Sequence, residues 1–171
     1  MVGGRLQGTE ALYLAAKAGY ETILVDRSSA PPAAGLADRH VVADVTADER
    51  LSASLARTCD AILPACEDEA TLAWLSDRAP AWGVPLLFDM DSYQVTRSKH
   101  ASRRLFETLG VARPECWPAC GFPVVVKPDV ASGSRGVVVA EDETTRAAAC
   151  AELAAAGHDV ILEEYVDGPS L

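Results

Sequence analysis

The sequence predicts an α/β protein in which an N-terminal doubly wound parallel sheet is followed by a second domain of different order. In the first half, short apolar segments alternate with helical segments, which is the pattern of a parallel sheet covered by helices. In the second half, the predicted order changes to helix, strand, strand, helix, strand. Because 49% of the 171 residues are hydrophobic, each part has enough apolar residues for a core. We therefore predict two domains, residues 1–92 and 93–171.

The first segment, MVGGRLQG, is rich in glycine and leads into a helix predicted from Thr9 to Ala18, with Gly19 as its C-terminal signal. Two strands, ETILVD and RHVVAD, flank a proline-rich loop. The residues Thr46–Glu49 then match the S/T-x-x-E capping box of a helix that extends to about Arg57.

Strand, helix and strand complete the first domain. The strand DAILP precedes a helix with an acidic first turn at residues 67–69, where negative charge complements the helix N-terminus, and PLLFD is the last strand. Only Met1 and Val2 precede the glycine-rich segment, which is too little for a strand. We therefore expect the first strand to be missing and the chain to be a fragment, unless its start is misassigned.

Ligands of such sheets bind at the carboxyl ends of the strands, where the glycine-rich segment and Asp26 lie. The glycine spacing, G-G-x-x-x-G, matches neither the dinucleotide nor the P-loop pattern. A phosphate loop and a tight turn into a helix therefore both remain open. Asp26 suits either a ribose hydroxyl or an ammonium group.

The second domain begins with the helix KHASRRLFETLG, whose apolar residues recur on one face, and Gly110 ends it. The segment VVVKPDVASGSRGVVV then reads as strand, loop and strand, with Lys127 at the rim. A helix from about Glu143 to Ala156 follows, with Asp142 as its candidate N-cap, and DVILEEYVDG is the last strand.

Charge and composition argue against several classes of protein. The net charge of −10 and the lack of a basic face oppose nucleic-acid binding. Neither a long apolar segment nor a signal peptide is present, so we expect a cytoplasmic protein without a membrane partner. The cysteines are odd in number and form no CxxC pair, so we expect reduced thiols and no structural metal. These cysteines are Cys59, Cys66, Cys116, Cys120 and Cys150.

Three motifs in order, VVVKP, SGSRGV and ILEEYV, resemble the nucleotide-binding half of the ATP-grasp ligases, and RSK before the preceding helix resembles their upstream lysine motif. The resemblance implies that ATP is clamped between two α/β subdomains and that a carboxylate is joined to an amine through an acyl phosphate. It also implies that the protein is a ligase with ATP and Mg²⁺ as cofactors.

The same resemblance assigns residues to parts of ATP. Lys99 and Lys127 would contact phosphates, and the loop 131–137 would close over them with backbone N–H groups. The stretch 163–166 would bind adenine and ribose, and Arg5 would lie near ATP. The implied ATP-binding residues are Lys99, Lys127, Ser132, Gly133, Ser134, Gly136, Glu163, Glu164, Tyr165, Val166 and Arg5.

A narrower resemblance covers nearly the whole chain. The segments GGRLQGTEALYLAAKAGYETILVD and LPACEDEATLAWL are similar to the pyrrolysine-biosynthesis branch of this family, which joins 3-methyl-D-ornithine to the ε-amine of lysine. It implies that amino-acid substrates lie near Leu6, Gln7, Asp26 and Glu67. Carboxylates are suitable partners for diamino acids, because each buried ammonium needs a counter-charge. Helix capping is the alternative for the acidic residues 67–69.

The chain departs from the family at its end, VDGPSL, where the family continues into a further subdomain. The resemblance places the Mg²⁺ ligands and an arginine for the acyl phosphate in that subdomain, beyond Leu171. We therefore expect no catalytic residue and no metal ligand in this sequence, and no ligation by this chain alone.

Two rival functions remain open. One is another ATP-grasp amino-acid ligase or a carbamoyl-phosphate-synthase-like enzyme, which would share every ATP motif. The other is a non-catalytic nucleotide-binding module, which would rest on the glycine-rich segment and Asp26.

Overall fold

The computed structural model describes residues 1–131 and 133–168. The chain folds as two compact units with their boundary between Met90 and Asp91. The sequence-based boundary, between residues 92 and 93, lies two residues further along. Within the described residues, no helix has the length and apolarity needed to span a membrane. Leu171, beyond which the resemblance places the metal ligands, lies outside the described residues.

The first unit contains a parallel sheet with helices between its strands. Strands β1 and β2 pair in parallel from Ile23 opposite Arg39 to Asp26 opposite Val42. The elements in chain order are α1 (Leu6–Lys17), β1 (Ile23–Asp26), a 3₁₀ helix (Pro32–Leu36), β2 (Arg39–Val42), α2 (Glu49–Ala56) and α3 (Glu69–Trp82). This alternation confirms the predicted doubly wound α/β class.

Met1 and Val2 occupy the position of the strand that the sequence predicted to be missing. Val2 forms parallel bridges to Val25 on one side and to Pro64 on the other. The Val2 amide donates to Leu63 O at 3.0 Å, and the Val25 amide donates to Met1 O at 2.9 Å. Val2 therefore lies between β1 and the segment around Pro64, but it forms only isolated bridges, and no strand precedes α1 among the described residues.

The predicted strands DAILP and PLLFD are shorter than expected. Each contributes isolated parallel bridges, the one between them joining Ile62 to Leu86. Around them, helices α2 and α3 form an apolar cluster with the bridge residues. Its buried members are Ala53, Ala56, Ile62, Leu75, Ala79, Trp82 and Val84.

The predicted capping box of α2 is wrong. Asp48, not Thr46, caps this helix, and its Oδ1 accepts from the Leu51 amide at 3.0 Å. The Thr46 hydroxyl instead donates to Asp44 Oδ1 at 2.7 Å. Because Asp48 immediately precedes the first helical residue, its carboxylate reaches the free amide of the first turn.

The second unit is an antiparallel sheet of order β4-β3-β5 with α6 on one face. The predicted order helix, strand, strand, helix, strand is found, and a short helix that the sequence did not predict precedes it. The elements are α4 (Met90–Arg97), α5 (Lys99–Leu109), β3 (Val124–Pro128), β4 (Val138–Ala140), α6 (Glu143–Ala155) and β5 (Val160–Glu164).

Alternation along β3 separates a core face from a second face of the sheet. Val124 and Val126 are fully buried and pack with Ala149 and Leu153 of α6. Val125 and Lys127 lie on the opposite face, because successive strand residues point to opposite sides. The sequence VVVKP therefore buries two valines under α6 and places the lysine on the other side of the sheet.

Candidate functional site

A cavity of about 430 Å³ lies in the second unit and is lined by residues of β3, β5, the N-terminus of α5 and the loop before β4. This volume lies in the usual range for small-molecule sites. The structure brings together most of the residues assigned to ATP. Those that line the cavity are Lys99, Lys127, Ser134, Glu163, Glu164, Tyr165 and Val166.

Lys127 is held on the cavity wall by an ion pair. Val125 lies opposite Glu163 in the β3–β5 ladder, whereas Lys127 lies opposite Ile161, so Lys127 and Glu163 are diagonal neighbours on one face. The Lys127 ammonium donates to Glu163 Oε1. The second carboxylate oxygen, Oε2, accepts from Arg103 Nη1 at 2.7 Å.

The three groups of this cluster are sheltered from solvent. The side chains of Arg103, Glu163 and Lys127 are 13%, 11% and 20% exposed. One carboxylate balances two cations, so the cluster carries a net charge of +1. A net positive charge in a partly desolvated cavity attracts anions more strongly than the same charge on an open surface.

Lys99 lies at the first residue of α5, directly after the N-cap Ser98. Its ammonium donates to Asp129 O at 2.8 Å and to Ala131 O at 3.2 Å, which links α5 to the start of the loop. Burial lowers the pKa of Lys99, and the nearby Lys127 charge lowers it further, whereas Asp129 and Glu163 oppose the shift. A second positive charge is therefore held close to Lys127 at an energetic cost.

Asp129 fixes the position of the α5 N-terminus. Its carboxylate accepts from the Ser98 hydroxyl at 2.9 Å and from the His100 amide at 2.8 Å. Its own amide donates to Asp159 O at 2.8 Å, and the residue is only 9% exposed. Asp129 therefore ties the helix that carries Lys99 to the strand end that carries Lys127.

The loop between β3 and β4 has a left-handed backbone at three residues. The φ angles of Gly133, Ser134 and Gly136 are 66°, 56° and 72°. A Cβ atom at Gly136 would lie 3.0 Å from Leu153 Cδ2 and 3.4 Å from Pro128 Cδ, so this backbone passes close to the core. Ser132, also assigned to ATP, lies outside the described residues.

The end of β5 pairs with the segment at Glu115 and Cys116 as well as with β3. The Glu164 amide donates to Glu115 O at 2.8 Å, and the Glu115 amide donates to Glu164 Oε2 at 3.1 Å. Tyr165 and Val166 follow the strand and are 42% and 65% exposed. The resemblance assigned Glu164 backbone groups to adenine, but its amide is already engaged with Glu115 in this structure.

In the first unit the structure places two predicted substrate residues in contact. Gln7 Nε2 donates to Glu67 Oε1 at 2.9 Å, while Leu6 is 71% exposed and Arg5 is also exposed. Residue 69 begins α3 and Asp68 is its N-cap, accepting from the Thr71 amide at 2.9 Å. Asp68 is therefore the N-cap of α3, and Glu67, one residue earlier, is bound to Gln7.

Asp26 organises the glycine-rich segment. Its Oδ2 accepts from the Gly4 amide and its Oδ1 from the Ser28 amide, both at 2.7 Å. Gly3 has a φ of 98°, and a Cβ atom there would lie 2.8 Å from Ala65 O. These contacts favour the tight-turn interpretation of the glycines, because close backbone approach alone requires them.

Arg103 and Asp129, which bind residues of the cavity wall without lining the cavity, were not identified from the sequence. Arg103 lies on α5 among residues that read as an ordinary amphipathic helix, and nothing in its spacing distinguishes it from Arg104. Asp129 directly follows the motif VVVKP, and this adjacency was the one available signal.

The residues that line the cavity suit a nucleoside triphosphate. Two ammonium groups, residues of a loop with left-handed backbone and the side chains of Tyr165 and Val166 line one cavity, a combination that suits phosphates and a flat base. Among the residues that the structure describes, no group of three His, Cys, Asp or Glu side chains is arranged to hold a metal ion. The expectation that the metal ligands lie beyond Leu171 concerns residues outside this sequence and stays a prediction.

Comparisons with known proteins agree with the motifs. No family model matches the chain. The 3-methyl-D-ornithine–L-lysine ligase of Methanosarcina barkeri is 33% identical over 168 residues, which is 98% of this chain and 44% of the relative. The chain thus spans less than half the length of the curated relatives that it matches first.

Solved structures show the same fold. N5-carboxyaminoimidazole synthetase from Staphylococcus aureus, complexed with ADP, matches with a TM-score of 0.76 and 18% identity over 97% of this chain and 46% of that one. The biotin carboxylase domain of Hydrogenobacter thermophilus 2-oxoglutarate carboxylase, in complex with MgADP, matches with a TM-score of 0.71 and 17% identity, covering 97% and 44%. The resemblance to ATP-grasp ligases is therefore confirmed, and the chain has the fold of the portion of these enzymes that it covers.

Proposed function

We propose that this protein binds ATP in the cavity of its second unit and is part of an ATP-dependent carboxylate–amine ligase. The observation that carries the proposal is the convergence of Lys99, Lys127 and the loop 133–137 on one cavity beside the end of β5. Each motif alone is common, and the support for the proposal is that residues of every motif line the same cavity. The similarity to a named ligase over 98% of the chain supports the same activity.

The phosphates would lie between the two lysines and the loop. Lys99 and Lys127 are each bound to oxygen atoms of neighbouring residues, and partial burial lowers the pKa of Lys99. A triphosphate offers both ammonium groups negative charge that the free protein supplies only in part. Backbone N–H groups of the loop add donors without side chains that would crowd the ligand.

The adenosine moiety would lie against Val125, Pro114 and the residues after β5. Val166 and Tyr165 are exposed apolar side chains at this end of the cavity. An apolar wall with a few backbone groups is typical of sites that bind a flat base.

In the proposed reaction ATP transfers its γ-phosphoryl group to a substrate carboxylate, with ADP as the leaving group, and an amine then attacks the acyl phosphate to give an amide and inorganic phosphate. The residues described here would hold the polyphosphate and orient it, and would reduce the repulsion between its charges. Positioning and electrostatic stabilisation of this kind account for most of the rate enhancement in phosphoryl transfer.

For the substrates we propose 3-methyl-D-ornithine and the ε-amine of L-lysine. The support is the named activity of the Methanosarcina relative and the carboxylates of the first unit. Glu67 is held by Gln7, and Asp26 lies at the end of β1 beside the glycine-rich segment. Carboxylates suit substrates that carry two ammonium groups, and Leu6 and Arg5 precede Gln7 in the sequence.

We further propose that the protein acts in the cytoplasm and that the complete reaction uses Mg²⁺. The five cysteines are all free thiols, which agrees with a reducing compartment. MgADP is named in the complex of one structural neighbour. In the described part of the chain, no group of three or more His, Cys, Asp or Glu side chains is arranged to hold the metal.

Calorimetric titration of ATP into the wild-type chain and Lys127→Met tests the proposed site. We expect wild type to bind ATP and Lys127→Met to bind it at least about tenfold more weakly, because a charge-assisted contact to phosphate is lost. Lys17→Met is the matched control, since Lys17 is exposed on α1 and contacts the Tyr13 ring. Binding of NAD in place of ATP, with no effect of Lys127→Met, would support the non-catalytic dinucleotide-binding alternative.

Substrate identity is tested separately, with a non-hydrolysable ATP analogue present. We expect 3-methyl-D-ornithine to bind more tightly than other amino acids of a panel, and Glu67→Gln to weaken this binding. Tighter binding of another amino acid would leave the ATP site intact and change only the assigned substrate.

A further inference from the structure

We propose that Arg103 is a positioning residue of the nucleotide site, which keeps the charge of Lys127 available to phosphate. The proposal rests on the proposed function, because it concerns the same cavity. Arg103 does not line the cavity itself. It would act through Glu163, which it shares with Lys127.

The contacts of Arg103 connect α5 to β5 and to the segment that contains Pro114 and Cys116. Its Nη1 donates to Glu163 Oε2 at 2.7 Å, and its Nη2 donates to Pro114 O at 2.8 Å. Nη2 also contacts Cys116 Sγ. One guanidinium from α5 therefore joins the carboxylate on β5 to the segment that pairs with the outer edge of that strand.

The charge balance of the cluster depends on Arg103. With Arg103 present, Glu163 divides its two oxygens between two cations, and the cluster is positive by one charge. Without Arg103, the sheltered carboxylate would keep Lys127 as its ion-pair partner, and the pair would be neutral. Lys127 would then have to leave this carboxylate in order to serve a phosphate, which a partly desolvated site makes costly.

This role differs from that of a purely structural ion pair. Loss of a structural support would distort the cavity and weaken every ligand by a similar factor. Loss of the charge balance would weaken ligands in proportion to their phosphate charge and leave adenosine almost unaffected. The ratio of ATP affinity to adenosine affinity therefore separates the two roles.

The test measures ATP and adenosine binding by calorimetry for wild type, Arg103→Gln, Arg103→Lys and Arg104→Gln. Gln at position 103 has a polar amide group but no charge. Arg104 is the matched control, because it is the adjacent arginine on α5 and is exposed. We expect Arg103→Gln to lower the ratio of affinities about five- to tenfold, whereas Arg104→Gln changes it less than about twofold.

Arg103→Lys restores the charge without the planar fork, so we expect the ratio to return to within about twofold of wild type while both affinities fall. Equal losses for ATP and adenosine in Arg103→Gln would overturn the proposal. So would a lowered ratio in Arg103→Lys, which also serves as the deciding variant should Arg103→Gln not fold. A wild-type chain that binds no ATP would instead overturn the proposed function itself.

Discussion

Lys127 and Glu163 lie diagonally across the β3–β5 ladder on the face of the sheet opposite to the α6 core, and their side chains form an ion pair. The relationship follows from strand alternation, because Val125 is opposite Glu163 and Lys127 is two residues further along β3. Arg103 completes the cluster from α5. Glu163, which the sequence assigned to adenine or ribose, is thus engaged with two protein cations in this structure.

Glu163→Gln is expected to destabilise the second unit substantially. The substitution removes the shared carboxylate and deprives two sheltered cations of its counter-charge, which typically costs about 3 kcal/mol. The measurement is the free energy of unfolding from urea denaturation, monitored in the full chain.

Glu164→Gln is the matched control for this substitution. Glu164 is the next residue and is exposed, and its carboxylate accepts from the Glu115 amide. We expect its effect to stay below about 1 kcal/mol. Equal destabilisation by the two substitutions would contradict the importance of the cluster.

The class of the fold and most of its elements could be predicted from local patterns. Short runs of β-branched and apolar residues predicted β3 and β5, and Gly110 and Asp142 marked helix ends correctly, since Gly110 is the left-handed C-cap of α5 and Asp142 caps α6. Such signals act over a few residues, so a single sequence contains them.

The features that could not be predicted from the sequence depend on contacts between residues that are far apart in the chain. Met1 and Val2 read as too short for a strand, yet neighbours on both sides bind them. The partnership of Arg103 with Glu163 spans sixty residues, and local periodicity carries no information about it. The apolar face of α5 was recognised, but Leu105, Phe106 and Leu109 remain 43%, 40% and 63% exposed.

Asp129→Ala is expected to loosen the N-terminus of α5. The carboxylate accepts from the Ser98 hydroxyl and the His100 amide in a nearly buried position, so its removal leaves donors unsatisfied. We expect a loss of about 2 kcal/mol in the free energy of unfolding. Asp159→Ala serves for comparison, because Asp159 is exposed and contributes its backbone carbonyl to Asp129. A similar loss in both variants would argue against a specific cap.

Gly136→Ala and Gly133→Ala separate backbone strain from packing in the loop. Both glycines have left-handed φ angles, 72° and 66°, so alanine should cost each about 1 kcal/mol in conformational energy. At Gly136 the new Cβ would meet side chains of Leu153 and Pro128, whereas no atom of the described residues is found within 4 Å of a Cβ at Gly133. We therefore expect Gly136→Ala to lower the thermal midpoint more than Gly133→Ala does. The reverse order would indicate that the loop is not packed against α6 as described.

The lowered pKa of Lys99 predicts proton uptake on ATP binding at alkaline pH. Burial and the Lys127 charge favour the neutral amine, so Lys99 loses its proton below the ordinary lysine value of 10.5 as the pH rises. A bound phosphate favours the charged form again, and therefore raises the pKa of Lys99. In the interval between the lowered value and 10.5, binding should take up protons and ATP affinity should decline with pH.

Lys99→Arg provides the control for this titration, because a guanidinium stays charged throughout the interval. Calorimetry in two buffers of different ionisation enthalpy measures the protons taken up, and the uptake should disappear in Lys99→Arg while Lys127 remains in both proteins. Proton uptake of equal size in wild type and Lys99→Arg would show that another group titrates at the site.

The lowered pKa of Lys99 also has a consequence for folding. In this interval the unfolded chain binds more protons at Lys99 than the folded chain does, so the free energy of unfolding increases as the pH rises and the Lys99 penalty to stability becomes smaller.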